Sequence, residues 1–520
     1  MKIYYGAVIS CDRENHIHQY LVEDKGRILY AGPELPAAYH GAPQVALGDR
    51  ALLPCFGDTH LHFASYALFN SGLDVRSARS LPEMSEQIIQ SARGSSDDIL
   101  MGFGASPHSV AERRLISKAD IDRVCPDKPL FLVKYDGHAC ILNSRMIALL
   151  PDKVKKLRGF HQDTGEMNQE AFFAVTDFVT KKISLRRTFQ NMLRAVDEMA
   201  GKGIGLMHTV SGVGFPFDLD VTLETLLGRG LDSGFQTRLF FQTMNIDKVR
   251  RRHLPRVGGC FAAALDGCFG SQDAALHRSY ADNPRNRGVL FYSDEEVAGF
   301  TRQANRAGLQ IEMHAIGDAA FDQAVTALEA ALKDCPRADH RHGIIHASLP
   351  TEEGLQKCAA LGIHIPLQPA LLKWELEPVY FLRRILDERA EKISPLRKLT
   401  DMGIVLSGGS DAPCTLPDPV AGIYAACNHY VPGQSLTIAE ALKMFTYNAA
   451  WTTFDDGERG SLEAGKAADM VILNRNPLAM KPAGLLELKV EQLLLKGEPY
   501  KNGQGLLSVL AKAVFSGGKI

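Results

Sequence analysis

Ala51-Leu52-Leu53-Pro54-Cys55-Phe56-Gly57-Asp58-Thr59-His60-Leu61-His62 is the stretch on which the reading of this chain turns. Its apolar half, Ala51–Phe56, reads as a strand buried on both faces. Its polar half places two histidines two residues apart. In extended backbone, residues i and i+2 point the same way, so His60 and His62 offer two imidazoles to one side. Neutral imidazoles presented together make a ready site for zinc or another divalent ion. Two solvated or core histidines would have the same spelling, so the rest of the chain has to decide.

Short apolar runs recur at Ile204–His208, Thr237–Gln242, Cys260–Leu265, Leu309–His314, Gly343–His346, Ile363–Leu367 and Ile404–Ser407. Amphipathic stretches separate several of them. Ser293 with Glu296, and Thr437 with Glu440, form capping boxes ahead of Val297–Ala307 and Ala441–Ala450. Gly308, Gly362 and Gly403 stand between a helix and the next strand, where a left-handed cap is expected. Eight buried strands alternating with helices predict an α/β fold, a (β/α)8 TIM barrel. No GxGxxG follows an early strand, which argues against a dinucleotide fold.

Three further residues repeat the placement of His60 and His62. His314 and His346 end their strands, and Asp411 follows Ile404–Ser407 through Gly408-Gly409-Ser410. One histidine on an apolar strand is usually a hydrogen-bonded core residue. Four histidines and an aspartate at four strand ends are hard to explain that way, because the C-terminal mouth is where barrel enzymes keep their sites. The expected metal ligands are His60, His62, His314 and Asp411, with His346 beside them. A divalent ion with an open position acidifies water to a pKa of about 7 and polarises a carbonyl. Asp411 is then placed to take a proton and pass it to a leaving nitrogen, and His346 to steady water or the oxyanion.

Around the barrel, assigned to residues 51–455, both ends read as short strands without helical periodicity. Residues 1–50 and 456–505 are expected to pair in one β-sandwich, and 506–520 to form a tail. About 70–182 is too long for a loop and predicts an inserted α/β subdomain. At 520 residues, two or three structural units are the natural expectation. A net charge of -2 gives no electrostatic case for nucleic acid or an anionic membrane. The start, Met1–His16, lacks the pattern of a secretory signal, and no run is long enough to predict a membrane span. Ten scattered cysteines suit a reducing cytoplasm. Among them Cys55, Cys140, Cys260 and Cys268 lie near the segments above, with a small buried hydrophobe as the plain reading of each.

Several motifs together resemble the amidohydrolase superfamily, in particular its amidohydrolase-3 branch of N-substituted formamide deformylase-like proteins. They are Asp58–His62, Asp136-Gly137-His138 with Asn143-Ser144, Asp266-Gly267, His314–Asp318, Ile345-His346-Ala347, Ser410–Pro413 and Gly460–Asp469. The last resembles the hairpin by which such enzymes return from barrel to sandwich. The resemblance implies hydrolysis of a non-peptide C–N bond of a small molecule, with one or two metals. Relatives carry a metal-bridging carboxylated lysine four residues before the Asp-Gly, where this chain has Ala262, and a glycine at Cys55. Without that bridge the expectation is one metal per chain, zinc, although Cys260 lies two residues away and a thiolate is a strong zinc ligand.

His138 and Trp374 are further candidates for substrate contact, as is His208, for which a core role, or one supporting the site from behind, is the favoured alternative. Tyr380 could line the pocket with Trp374. A deaminase of a heterocycle or amidine on the same scaffold, and a non-catalytic small-molecule-binding barrel, are the competing functions. The oligomeric state stays open, with a homodimer as the candidate.

Overall fold

The computed structural model describes residues 1–515. Six parallel strands pair in the order Gly343–His346, Gln310–Ala315, Arg256–Ala264, Gln236–Phe241, Ile204–Ser211, Phe56–Leu61. A further parallel pair, Ile365–Leu367 with Leu406–Gly408, continues the wall. A parallel bridge between Gly343 and His364 joins the pair to the six. On the other side Asp411 N–H donates to the His60 carbonyl at 2.8 Å, and His62 N–H to that of Ala412 at 2.8 Å. These bonds nearly close a parallel barrel of eight strands, each preceded or followed by helices on its outer face. Long apolar runs suit this environment because both faces of each strand are covered.

Local signals hold where predicted. Ser293 and Thr437 make reciprocal capping boxes at Asp294–Arg306 and Ile438–Met444. Gly308, Gly362 and Gly403 all have φ between 71 and 76°, a region costly for any residue with a Cβ. The expected helix Ala441–Ala450 is two pieces, Ile438–Met444 and Tyr447–Thr452, broken at Phe445 and Thr446.

The first barrel strand is displaced from its expected position. Ala51–Pro54 ends an eleven-residue strand, Gln44–Pro54, that belongs to a different sheet, and the barrel begins at Phe56. Gln44–Pro54 pairs in parallel with Lys2–Ile9 on one side and antiparallel with Met470–Leu473 on the other. The two chain ends thus share a seven-stranded sheet that also includes Ile17–Asp24, Arg27–Gly32, Val490–Leu495 and Glu498–Pro499. The Gly460–Asp469 segment is laced to it: Leu462, Gly465 and Ala468 donate backbone N–H groups to Ser10, Ile28 and Gly26.

Between the first and second barrel strands lies a five-stranded sheet, from Leu73–Asp74 to Glu166–Asn168, with its own apolar cluster around Met84, Ile88 and Ile121. The expected tail begins as a helix, Leu506–Phe515, which buries Val509 and Ala513. It lies close to Leu219–Gly230, where a Cβ on Gly230 would sit 2.1 Å from the Val509 carbonyl oxygen. Residues 516–520 lie outside the described residues. Among the described residues, no helix is long and apolar enough to cross a membrane.

Candidate metal centre

Five residues predicted at four strand ends meet at the barrel mouth. Asp411 Oδ1 lies 3.3 Å from His60 Nε2 and 3.4 Å from His62 Nε2. The rings of His314 and His346 cross at 4.6 Å, and those of His60 and His346 at 5.4 Å. All five side chains are largely buried; His60 is wholly inaccessible.

The backbone sets this geometry. Asp58 Oδ1 accepts N–H groups from His60 and Ser410, pinning the end of the last strand to the first. Asp266 does the same across the mouth, accepting from Ala275, Ile316 and Gly317. Burial pushes the Asp58 carboxyl up to about 7 and that of Asp266 up to about 8. Asp411 and His346 have left-handed φ of 58 and 68°, conformations that cost energy and cluster at functional sites.

Outer partners fix which ring nitrogens face inward. His346 Nδ1 lies 2.5 Å from Gln368 Oε1, an atom that only accepts, so Nδ1 carries the proton and Nε2 faces the centre. His314 Nε2 donates to the Gly267 carbonyl at 3.1 Å, which turns the Nδ1 lone pair inward. Burial draws the His60, His314 and His346 rings down, His346 to about 4, so they stay neutral. Burial pushes the Asp411 carboxyl up, but His60 and His62, with His346, hold it well below the ordinary range.

Ring nitrogens of His60 and His62 therefore converge on one carboxylate oxygen of Asp411, and buried His60 Nδ1 has no hydrogen-bond partner among the described residues. A divalent ion fits this arrangement. At tetrahedral angles, bonds of about 2.0–2.1 Å to nitrogen and oxygen set neighbouring donors about 3.3–3.4 Å apart, as Asp411 and the two histidines are. Donor atoms fall into groups lying within 4.8 Å of one another: His60, His62, Cys260; Cys260, His314, His346; and His60, His346, Asp411.

Cys260 is the residue that sequence reasoning left out of the ligand set. Its strand carries a bulge: between Gly259–Met313 and Ala264–His314 pairings, five residues advance against one. Gly258, Gly259 and Phe261 all have positive φ, and a Cβ on Gly258 would meet the Glu312 carbonyl oxygen at 1.8 Å. Strand alternation fails across such a bulge, and the sulfur is delivered to the mouth. The Gly258-Gly259 pair inside an apolar strand was the available signal.

Of the remaining candidates, His138 lines the cavity beside the centre, its ring 5.4 Å from that of Phe261. Trp374 lines an adjoining lobe and packs edge-on against Tyr135 at 5.1 Å. Tyr380 does not: it is half exposed and meets Arg113 on the surface. His208 lines neither lobe. Its strand runs on to Ser211, so His208 sits below the mouth, bonded to the hydroxyls of Thr452 and Thr453. That is the core alternative.

The Amidohydrolase family profile matches residues 44–500. The chain belongs to the amidohydrolase family. It is 26% identical to the N-substituted formamide deformylase of Arthrobacter pascens over 94% of this chain and 96% of that one. It is also 26% identical to YtcJ of Bacillus subtilis (strain 168), over 88% and 91% respectively. Among solved structures, a metal-dependent hydrolase from Pyrococcus furiosus superposes with a TM-score of 0.73 at 26% identity, covering 92% of this chain and 99% of that one. The chain is therefore a hydrolase acting on carbon–nitrogen bonds, of a family that uses divalent metals.

Proposed function

We propose that this amidohydrolase cleaves an amide, N-formyl or related bond in a small molecule that carries a bulky apolar group. The observation that carries the reading is the setting of the donor cluster. It opens on one side into a lobe walled by Phe69, Phe103, Phe172, Phe173 and Phe261, and on the other into a lobe holding Trp374 and Glu377. A bond held at the junction would place one substituent among aromatic rings, where desolvation favours apolar groups. The similarity to a formamide deformylase supports the same class.

A bound divalent ion, which we take to be zinc, supplies a Lewis acid for the carbonyl and makes water a usable nucleophile at neutral pH. Asp411 accepts the proton of the attacking water and returns it to the leaving nitrogen. His346 stands among the donors, which favours a ligand role over that of steadying an oxyanion. His138 lines both lobes and is placed to reach the substrate. In this reading the barrel is the catalytic unit, the terminal sheet a composite layer beside it, and residues 70–182 an insertion that contributes pocket wall. Ten free cysteines suit a cytoplasmic enzyme.

The test is turnover of N-formyl and N-acyl arylalkylamines by metal-replete and chelator-treated protein. Carboxylate and amine released in equal amounts, and lost on chelation, are the expected result. Ammonia released from a heterocyclic amine in place of those products would make the enzyme a deaminase. Phe261→Ala should raise KM for an aromatic substrate more than for its N-methyl counterpart.

A further inference from the structure

We propose that the Cys260 thiolate bridges two divalent cations, one held by His60, His62 and Asp411 and the other by His314 and His346. The inference rests on the metal-dependent reading above and adds to it the number of ions and the group that joins them.

The sulfur touches both halves of the cluster. Cys260 Sγ lies 3.3 Å from His60 Nε2, 3.4 Å from His314 Nδ1 and 3.6 Å from His346 Nε2. A bond of about 2.3 Å to sulfur and about 2.0–2.1 Å to nitrogen, at a tetrahedral angle, gives a sulfur–nitrogen edge of about 3.6 Å. The contacts match shared coordination. They do not match a plain buried thiol, which has one proton to donate while three ring nitrogens face it. Two of those nitrogens have their inward lone pairs set by Gln368 and Gly267 on the far side of each ring.

Donor count points the same way. Six side chains converge, whereas one tetrahedral ion takes four ligands. Cys260 belongs both to the group with His60 and His62 and to the group with His314 and His346. Two close dications repel strongly in a partly desolvated mouth, and an anionic bridge between them offsets that repulsion. Ala262 has no donor to serve as the bridge. The bulge at Gly258–Phe261 brings an anionic sulfur to the place where one is needed.

Full-length, metal-free protein loaded with cobalt(II) and then desalted tests the bridge. About two ions per chain and a sulfur-to-cobalt charge-transfer band are expected. Cys260→Ser should lose the band and retain no more than one ion while its metal-free circular dichroism is unchanged. A wild type without the band, or a serine variant that keeps two ions, overturns the proposal. Should the serine variant misfold, Cys260→Asp supplies a carboxylate in its place: two ions without the band support the bridge, and a persisting band refutes it. None of these readouts involves substrate. Two ions and a band in a protein that hydrolyses no C–N substrate would remove the proposed function alone, and hydrolysis by a one-ion, bandless protein would remove the bridge alone.

Discussion

Asp411 and His60 are tied twice: the Asp411 backbone N–H donates to the His60 carbonyl at 2.8 Å, and Asp411 Oδ1 stands 3.3 Å from His60 Nε2. The same pair closes the wall of the barrel and forms one edge of the donor cluster. Fold and site are thereby held at one point, and the cluster cannot drift without opening the barrel.

That double tie separates two kinds of damage. Asp411→Asn keeps the backbone bond and a coordinating oxygen but loses the proton acceptor. Turnover is expected to fall about 10²–10⁴-fold. Bound metal, measured by elemental analysis, should fall less than in His60→Ala. Wild-type turnover by the asparagine variant rejects the role given to Asp411.

Gln368 lines the lobe that holds Trp374, and its Oε1 decides which face of His346 is basic. Gln368→Leu removes the acceptor for Nδ1–H, and metal affinity should weaken about 10–100-fold. Gln368→Glu restores an acceptor and should recover most of it. Competition against a calibrated chelator reads both. Equal affinities in the leucine variant and wild type would show that the 2.5 Å contact does not orient the ring.

Below the mouth, His364 is fully buried, with Nε2 on the Arg341 carbonyl, and burial draws its pKa down to about 3. The unfolded chain takes up a proton near pH 6.5 that the folded chain refuses, so this histidine's share of stability is present above pH 6.5 and lost as pH falls toward 3. The stability gap between wild type and His364→Asn should narrow by about 2 kcal/mol from pH 8 to pH 5. Denaturant unfolding at both pH values measures it, and a gap that does not move with pH contradicts the assignment.

At the base of the barrel Arg238 grips Asp455 through two bonds of 2.7 and 2.6 Å, with both side chains almost inaccessible. Asp455→Asn leaves a buried guanidinium without its counter-charge, and a loss of about 3–5 kcal/mol is expected. Metal content of the protein that remains folded should be unchanged, because the pair is remote from the mouth. A loss below about 1 kcal/mol in denaturant unfolding would mean that other partners carry the charge.

Much of the site was legible because barrel geometry converts strand ends into a shared mouth. His60, His62, His314, His346 and Asp411 each stand where an apolar run stops, and that pattern survives small errors in strand boundaries. Cys260 was legible only as a thiolate near the missing lysine and not as a residue at the mouth, since period-two reasoning assumes an unbroken pleat and the bulge at Gly258–Phe261 breaks it. The choice between pocket and core for His208 turned on a related point: its strand continues three residues past the expected end. The Ala51–Pro54 run carried no mark that it belongs to the terminal sheet, because apolar strands look alike whichever sheet receives them. Pairing with Lys2–Ile9 and with Met470–Leu473 distinguishes them, and the second contact spans most of the chain.

That pairing has a consequence for how the protein is made. Gln44–Pro54 emerges from the ribosome early and can pair with Lys2–Ile9 at once, but its other edge waits for Met470–Leu473. At about 5–20 residues per second the wait is on the order of half a minute. Throughout it, the apolar edge at Ala51–Pro54 is open to whatever strand arrives first. Nascent chains are thus natural clients for a holding chaperone, and a message truncated before codon 470 yields a product whose edge is never covered.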